Sequence, residues 1–294
     1  MGYINVNGVD HYYEWVRSPS SASKPVMIFL HGWGGSARYW ESTAIALSND
    51  FDCLLYDMRG FGRSLIPPTS VTATGSGTTS DYELETYAED LNRLLEVLEL
   101  AEPVYINSHS MGASVATLFL NRYPERVEKA ILTCNGIFEY DEKAFTAFHK
   151  WGALVVKFRP SWLKQIPLMH RIFIARFLHR PVSSEMSQEF LEDYLMADYE
   201  AAKGTIFTSV SKKATEVMPQ EFAQLKVPVL LVAGEYDKII PAVFARKAAE
   251  LNELVEYVEI PKTSHFPMLE DFPTYMQQVY EFLGIQSSIA PAEC

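Results

Sequence analysis

Short apolar runs alternate along the chain with longer segments in which apolar residues recur at helical spacing. The predicted strands occupy residues 26–30, 51–56, 104–107, 127–133, 227–233 and 255–260, of which 26–30 and 227–233 are continuously apolar. The segments between them, such as 82–98, repeat apolar residues every three or four positions, as amphipathic helices do. This alternation predicts an α/β fold, with a mainly parallel sheet covered by helices on both faces. In such sheets, ligands bind at the carboxyl ends of the strands.

The beginning of the chain follows a different pattern. Two runs rich in β-forming residues, 3–6 and 9–15, are separated only by Asn7 and Gly8. This pair tolerates the positive φ angles of a two-residue turn, so we expect the domain to open with a β-hairpin.

The alternation of strands and helices stops between residues 137 and 225, where the pattern is mostly helical. We interpret this segment as a helical cap inserted after the sixth strand of a core domain. The core domain then consists of residues 1–136 and 226–285, and residues 286–294 form a C-terminal tail. We expect the substrate pocket to lie under the cap.

Composition and charge exclude several classes of protein. Of the 294 residues, 48% are hydrophobic and 21% are charged, as in ordinary folded domains. The formal charge of −12 argues against nucleic acid as a partner, because such proteins need a cationic surface. Three widely spaced cysteines form neither a disulfide framework nor a zinc motif. The N-terminus lacks the features of a secretory signal, and no apolar run approaches the roughly 20 residues of a membrane span, so we expect a cytoplasmic protein.

A serine near the middle of the chain is the first candidate for chemistry. Ser110 lies in the pattern Ser108-x-Ser110-x-Gly112, directly between a predicted strand and a predicted helix. This is the setting of a nucleophile elbow, with serine in place of the usual first glycine. The flanking residues must be small because the backbone turns very tightly there. A helix-capping serine is the alternative interpretation of the same pattern.

A seryl hydroxyl becomes a nucleophile only beside a base, and the base needs an orienting carboxylate. The later part of the chain offers both, because Asp237 and His265 each follow a predicted strand. Asp141 and Glu235 are rival acids, whereas each of the other six histidines has a structural interpretation. The chain order Ser110, Asp237, His265 therefore predicts a catalytic triad.

Acyl transfer also needs hydrogen-bond donors that face the developing oxyanion. The backbone N–H of Met111, at the start of the helix after Ser110, is one candidate. The backbone N–H of Trp33 is the other, because the glycines on both sides of Trp33 allow its loop to approach the serine closely. Such a site requires neither a metal nor a cofactor.

Five motifs together resemble the α/β-hydrolase superfamily. In chain order they are His31-Gly32-Trp33-Gly34-Gly35, Asp57-Met58-Arg59-Gly60-Phe61-Gly62-Arg63-Ser64, Ser108-His109-Ser110-Met111-Gly112, Gly234-Glu235-Tyr236-Asp237 and Ser264-His265-Phe266. The resemblance covers residues 1–136 and 226–285. It implies the α/β-hydrolase fold, with the nucleophile, acid and base at Ser110, Asp237 and His265 and the oxyanion hole at the Trp33 and Met111 amides.

The resemblance says less about the substrate. Proteins with similar motifs serve as esterases, thioesterases, carbon–carbon bond hydrolases, cofactor-free haloperoxidases and ligand receptors. Dehalogenases and epoxide hydrolases of the same fold resemble this chain less, because they carry aspartate at the position of Ser110.

The predicted cap contains a segment, residues 143–184, that is basic and aromatic. It has eight basic residues and no acidic ones, so the remainder of the chain carries a formal charge of −20. One helical stripe is apolar, and a second stripe is basic: Phe148, Trp151, Leu154, Val155 and Phe158 form the first, and Lys143, Lys150 and Lys157 the second. One interpretation packs the apolar stripe onto the body of the protein and leaves the lysines in water. The other is that this segment contacts a membrane surface, or a lipophilic or anionic substrate.

In either case we expect aromatic residues around a hydrophobic acyl or alkyl group. The expected pocket residues are Phe138, Phe148, Trp151 and Phe266. The resulting hypothesis is a serine hydrolase that cleaves a small hydrophobic ester or thioester. Two alternatives stay open: a carbon–carbon bond hydrolase or lyase with the same triad, and a ligand-binding accessory protein with little turnover. The sequence leaves the oligomeric state open.

Overall fold

The computed structural model of the protein describes residues 1–19, 23–66, 82–138, 142–209 and 211–286. Its strands are β1 (Gly2–Val6), β2 (Val9–Val16), β3 (Val26–Leu30), β4 (Asp52–Tyr56), β5 (Val104–His109), β6 (Val127–Thr133), β7 (Val229–Gly234) and β8 (Val255–Ile260). Its α-helices are α1 (Glu41–Leu47), α2 (Leu84–Val97), α3 (Met111–Arg122), α4 (Glu142–Lys157), α5 (Met169–Ala175), α6 (Ser184–Met196), α7 (Tyr199–Ser209), α8 (Lys212–Ala223), α9 (Ala242–Ala249), α10 (Pro267–Glu270) and α11 (Phe272–Leu283). Short 3₁₀ turns lie at Ala37–Trp40, Pro124–Arg126 and Ser161–Gln165.

The strands form one sheet in the order β1-β2-β4-β3-β5-β6-β7-β8. From β4 to β8 all neighbouring strands are parallel, whereas β1 and β2 run antiparallel at one edge. The predicted hairpin is confirmed: Asn7 and Gly8 join β1 to β2 with φ angles of 49° and 83°. The predicted α/β class, with a mainly parallel sheet between helices, is confirmed as well.

The central strands read as continuous apolar runs because both of their faces are buried. Along β3, Ile28 and Leu30 contribute to the apolar layer that contains α2 and α3. Met27 and Phe29 point to the opposite face, where α1 and α11 pack. The alternation follows from the two-residue period of a strand. The sheet is thereby held between two hydrophobic layers. Residues at the ends of its strands are therefore well positioned to form a site.

Helices α4 to α8 lie between β6 and β7 in the chain, which is the place expected for the cap. We call these helices and their connections, as far as they are described, the cap. The cap contacts the core directly: the Asp198 amide donates to the Gly60 carbonyl at 2.8 Å, and the Trp33 indole donates to the Ala202 carbonyl at 3.0 Å. Most of the predicted tail, residues 287–294, lies outside the described residues.

The orientation of α4 contradicts one of the two interpretations for part of its apolar stripe; the side chains of Phe148 and Trp151, which belong to the same stripe, lie outside the described part of the structure. Gly152 and Val156 form the buried side of the helix, while Leu154 and Phe158 are 52% and 57% exposed. The expectation that this stripe packs onto the body is therefore wrong for Leu154 and Phe158. The physical reason is that small Gly152 allows close packing against Ile206, which rotates the larger side chains outward. None of the helices in the described ranges is both long enough and apolar enough to cross a bilayer.

Candidate active site

Ser110 occupies a strained turn between β5 and α3. Its φ and ψ angles are 52° and −119°, a region that residues with a side chain rarely adopt. The Ser110 amide donates to the Thr133 carbonyl at 2.9 Å, which fixes the turn against β6. Ser108, which replaces the usual glycine, is accommodated because it still belongs to β5 and its hydroxyl donates to the Ile131 carbonyl at 2.9 Å.

The structure brings together the three side chains predicted as a triad. His265 Nε2 lies 3.1 Å from Ser110 Oγ, and His265 Nδ1 lies 2.7 Å from Asp237 Oδ2. Because the Asp237 carboxylate can only accept a hydrogen bond, the proton of the neutral His265 ring is placed on Nδ1. Nε2 then accepts a hydrogen bond from the Ser110 hydroxyl. Asp237 and His265 are buried, whereas Ser110 is only half-buried. This arrangement can take a proton from Ser110 and stabilise the imidazolium that results.

Asp237 is held as a carboxylate. Its second oxygen accepts the amides of Ile239 at 2.7 Å and Ile240 at 3.0 Å. Burial by itself raises the pKa of Asp237, but the positive charge and hydrogen bond of His265, together with these two amides, outweigh burial and lower the pKa below its usual value. Gly234 is required nearby, because a Cβ there would clash with the Ser264 carbonyl where the two loops meet.

The predicted oxyanion donors lie on two segments that touch. Gly112, in the first turn of α3, lies so close to the loop after β3 that a Cβ would clash with the His31 carbonyl oxygen and come within 2.9 Å of the Leu30 carbonyl carbon. His31 holds that loop, since its Nδ1–H donates to the Gly32 carbonyl at 2.8 Å and its Nε2 accepts the Met58 amide at 2.9 Å. Among the described residues, the Trp33 and Met111 amides have no hydrogen-bond acceptor.

A buried network behind the serine was not predicted. The Gly32 amide donates to the Tyr39 hydroxyl, which lies 3.0 Å from His109 Nδ1. His109 Nε2 donates to the His265 carbonyl at 2.7 Å, so its Nδ1 accepts from Tyr39. Burial, reinforced by repulsion from His265, holds the pKa of His109 well below its usual value and keeps the ring neutral. The network thus joins the glycine-rich loop to the backbone of His265.

A second unpredicted element is the buried carboxylate of Glu270. Its Oε1 accepts the amides of Ser264 at 2.8 Å and Phe266 at 3.2 Å, on either side of His265. Its Oε2 accepts the amides of His179 at 2.5 Å and Arg180 at 2.8 Å, which belong to the cap. No pattern in the sequence indicated this role, because a glutamate in a helix usually faces water. Glu270 thereby fixes the His265 loop and attaches the cap to it.

The cap also contacts the glycine-rich loop from above. The Ser36 hydroxyl, at the end of this loop, donates to Asp193 Oδ2 on α6 at 2.5 Å. Burial raises the pKa of Asp193 to about 6, although the Ser36 hydrogen bond and the charge of Arg38 oppose the rise. The Trp33 ring lies 6.3 Å from the Tyr194 ring, measured between centroids. The position of the Trp33 amide therefore depends on the cap as well as on the core.

The predicted pocket residues have different surroundings. Phe266 is 7% exposed, and its ring contacts both His265 and His109, with centroids 5.4 and 4.6 Å apart. Phe138 follows β6 and contacts Phe244 at 5.4 Å. Phe148 and Trp151 lie on α4, and their side chains are outside the described part of the structure.

Of the two rival acids, Glu235 does not take the place of Asp237. Glu235 is exposed and accepts the Lys262 amide at 2.8 Å, away from the His265 ring. Asp141 lies outside the described residues.

One group of potential metal ligands occurs among the described residues. The ligand atoms of His109, Cys134 and His265 lie within 4.8 Å of one another. However, both ring nitrogens of each histidine already have hydrogen-bond partners, and burial raises the pKa of the Cys134 thiol well above its usual value. A protonated thiol and two occupied imidazoles do not fit a metal ion.

Comparisons with known proteins agree with this fold. A family model described as alpha/beta hydrolase fold matches residues 25–272. A pimeloyl-(acyl-carrier protein) methyl ester esterase of Vibrio cholerae is 22% identical over 266 residues, which cover 87% of this chain and 93% of the esterase. A non-heme chloroperoxidase of Streptomyces lividans is 25% identical over 234 residues, covering 76% of this chain and 79% of the relative. The crystal structure of a Pseudomonas aeruginosa hydrolase superposes with a TM-score of 0.77 at 20% identity, covering 96% of this chain and 98% of that one.

Proposed function

The chain belongs to the alpha/beta hydrolase family, and on that basis we propose that it is a serine hydrolase that cleaves a carboxylic ester or thioester of a hydrophobic substrate. The observation that carries the proposal is the continuous hydrogen-bonded series from Ser110 through His265 to Asp237. The series ends on a hydroxyl that is half-buried rather than enclosed. A geometry of this kind serves nucleophilic catalysis.

The reaction follows from these positions. Ser110 Oγ attacks the carbonyl carbon of the substrate while His265 Nε2 takes the hydroxyl proton. The negative oxygen of the tetrahedral intermediate faces the amides of Trp33 and Met111. Collapse of the intermediate breaks the bond to the alcohol or thiol, which leaves with the proton from His265. Water then attacks the acyl-enzyme with His265 again as the base, which releases the carboxylic acid and restores the Ser110 hydroxyl.

The preference for a hydrophobic substrate rests on the aromatic side chains between the triad and the cap. Phe173 and Tyr194 contact each other at 4.6 Å between ring centroids, and Tyr194 contacts Trp33. Phe177 lies 6.4 Å from the His265 ring. An aromatic surface of this kind beside the triad favours acyl or alkyl groups over sugars.

Hydrolysis of p-nitrophenyl esters with acyl chains from acetyl to palmitoyl, and of palmitoyl-coenzyme A, tests the proposal. A fluorophosphonate probe, which labels activated serines, is run beside these assays. Ser110→Ala is expected to abolish both hydrolysis and labelling. Ser114→Ala is the matched control, because Ser114 lies on α3 and its hydroxyl bonds Asn135 rather than the triad.

Each result decides between the open functions. Loss of activity in Ser110→Ala but not in Ser114→Ala supports the proposal, and the best chain length measures the pocket. Labelling of Ser110 without hydrolysis of any ester or thioester contradicts ester cleavage and favours carbon–carbon bond substrates or a ligand-binding role. Hydrolysis that persists in Ser110→Ala refutes the assignment of the nucleophile.

A further inference from the structure

The outer surface of the cap exposes a group of large apolar side chains. Leu154 and Phe158 on α4, Trp162 in the following turn, and Leu168 and Ile172 at α5 are between 50% and 67% exposed. They fall within 19 residues of the chain. The rings of Phe158 and Trp162 also contact each other, with centroids 6.3 Å apart. A concentration of this kind marks a binding surface, because folded proteins rarely expose adjacent apolar groups without a function.

Exposed basic residues alternate with these apolar residues along the same stretch of the chain. Lys150, Lys157, Lys164 and Arg171 are exposed and lie on the same stretch; none of these four forms an ion pair within the described ranges. Two other arginines of the segment are held by the protein: Arg159 turns inward to the Ala197 carbonyl at 2.7 Å, and Arg180 pairs with Asp271 at 2.9 Å. On α4, Leu154 and Phe158 lie beside Lys150 and Lys157 on the solvent side, opposite Gly152 and Val156. We call these nine exposed residues the basic–apolar face: Lys150, Leu154, Lys157, Phe158, Trp162, Lys164, Leu168, Arg171 and Ile172.

We propose that the basic–apolar face docks the cap onto an anionic membrane surface. Such a membrane can contact both the apolar and the basic residues of the face. Its acyl region receives Phe158, Trp162 and Ile172, and its phosphates meet the ammonium and guanidinium groups, whose long aliphatic stems reach outward past the apolar side chains. The charge distribution fits as well, because residues 143–184 contain eight basic and no acidic residues while the remainder of the chain carries −20. An anionic lipid surface therefore attracts residues 143–184 and repels the remainder of the chain, to which the acidic helix α6 of the cap also belongs.

The docked surface connects directly to the candidate active site. After α5 the chain reaches Phe177, whose carbonyl accepts the His265 amide at 2.9 Å, while Ile174 on the inner side of α5 is buried. If the chain is the hydrolase proposed above, a lipophilic substrate leaving the membrane meets the aromatic layer beside His265. The docking itself does not depend on that proposal, and it is measured without any substrate.

Vesicle flotation of the full chain tests the docking. Vesicles of phosphatidylcholine alone are compared with vesicles that also contain phosphatidylglycerol, at low and high salt. We expect binding to the anionic vesicles that weakens as salt is added. Each basic residue near such a surface contributes about a fivefold increase in partitioning, so Lys157→Glu with Lys164→Glu is expected to lower binding more than about 25-fold. Phe158→Ser with Trp162→Ser is expected to lower it at least about tenfold.

Two matched controls separate the face from general effects. Ile45→Ser removes an apolar side chain that is 56% exposed on α1, and Lys226→Glu reverses an exposed charge outside the cap. Both should bind vesicles as the native protein does. Circular dichroism and hydrolysis of a short p-nitrophenyl ester in solution verify that the face variants fold, and they also keep failure of docking distinct from failure of the hydrolase proposal.

Three outcomes would overturn the inference. The first is that the native protein binds neutral and anionic vesicles equally, or binds neither. The second is that the face variants bind as well as the two controls. The third comes from sedimentation velocity: a native dimer that becomes monomeric in Phe158→Ser with Trp162→Ser would assign the face to contact between two copies of the chain.

Discussion

The buried carboxylate of Glu270 offers a quantitative test of how the site is held. Glu270→Gln keeps the shape of the side chain but replaces one acceptor oxygen by an NH₂ group. The amide oxygen can still accept from Ser264 and Phe266, which are the more deeply buried pair. The NH₂ group then faces the donors of His179 and Arg180, which are only partly buried.

The cost follows from those four contacts. An unsatisfied buried donor costs about 1–3 kcal/mol, and the two cap amides lie toward the lower end because water reaches them. The free energy of unfolding should therefore fall by about 2–4 kcal/mol. For a chain of this size that corresponds to a decrease of roughly 5–15 °C in the melting temperature. Since the link through Glu270 between the cap and the His265 loop is lost and only contacts such as that from the His265 amide to the Phe177 carbonyl remain, kcat should fall about ten- to a hundredfold.

Calorimetry and ester hydrolysis on the same preparations measure both effects. Glu256→Gln is the matched control, because Glu256 is exposed on β8 and its replacement should leave the melting temperature and kcat unchanged. The reasoning fails if Glu270→Gln melts within about 1 °C of the native protein. It also fails if the variant is less stable but has the native kcat, since Glu270 would then support the fold without positioning His265.

Three other substitutions test further parts of the site. Asp237→Asn should lower kcat about 10³–10⁴-fold, because it can neither orient His265 nor stabilise its imidazolium; a loss below tenfold would contradict the triad. The lowered pKa of Asp237 adds stability at neutral pH that disappears as the pH falls through that pKa, so acid should destabilise the native protein more than Asp237→Asn. Gly112→Ala should push the His31 carbonyl away and lower kcat at least about tenfold with little change in KM. A kcat equal to that of the native protein in steady-state ester hydrolysis would show that the loop after β3 tolerates the added methyl group. The raised pKa of Asp193 costs stability that accumulates as the pH rises from the unfolded value of 3.8 to the folded value of about 6, and the cost is complete above that. Asp193→Asn, which still accepts from Ser36, should therefore stabilise the protein by about 2–3 kcal/mol at pH 8 and hardly at pH 4 in urea unfolding; equal effects at both pH values would refute the assignment.

Two sets of hydrogen bonds connect the three central side chains of the site to the rest of the protein. The Tyr39–His109 hydrogen bond connects the glycine-rich loop to the backbone of His265. Glu270 and Asp193 connect the cap to the His265 loop and to Ser36 respectively. A movement of the cap therefore shifts the environment of both His265 and the loop that carries the Trp33 amide.

Local patterns in the chain were enough to predict the sheet and the three side chains of the triad. The strands at Val26–Leu30, Val127–Thr133 and Val255–Ile260 agree residue for residue with the predicted strands. For Val26–Leu30 the signal is clear because a strand buried on both faces has no polar position to obscure it. Parallel strands end at one edge of the sheet, so Ser110, Asp237 and His265 were expected to meet even though they are far apart in sequence.

The packing of side chains from distant segments could not be predicted in this way. Glu270 and the Tyr39–His109 pair have no local signal, since their partners are chosen by which loops the sheet brings together. The rotation of α4 about its axis was also undetermined, because its apolar residues cover more than one face and either could have been buried. Gly152, which has no side chain, packs closely against Ile206 and so sets the rotation of α4. In that rotation Phe158 and the neighbouring lysines face outward together.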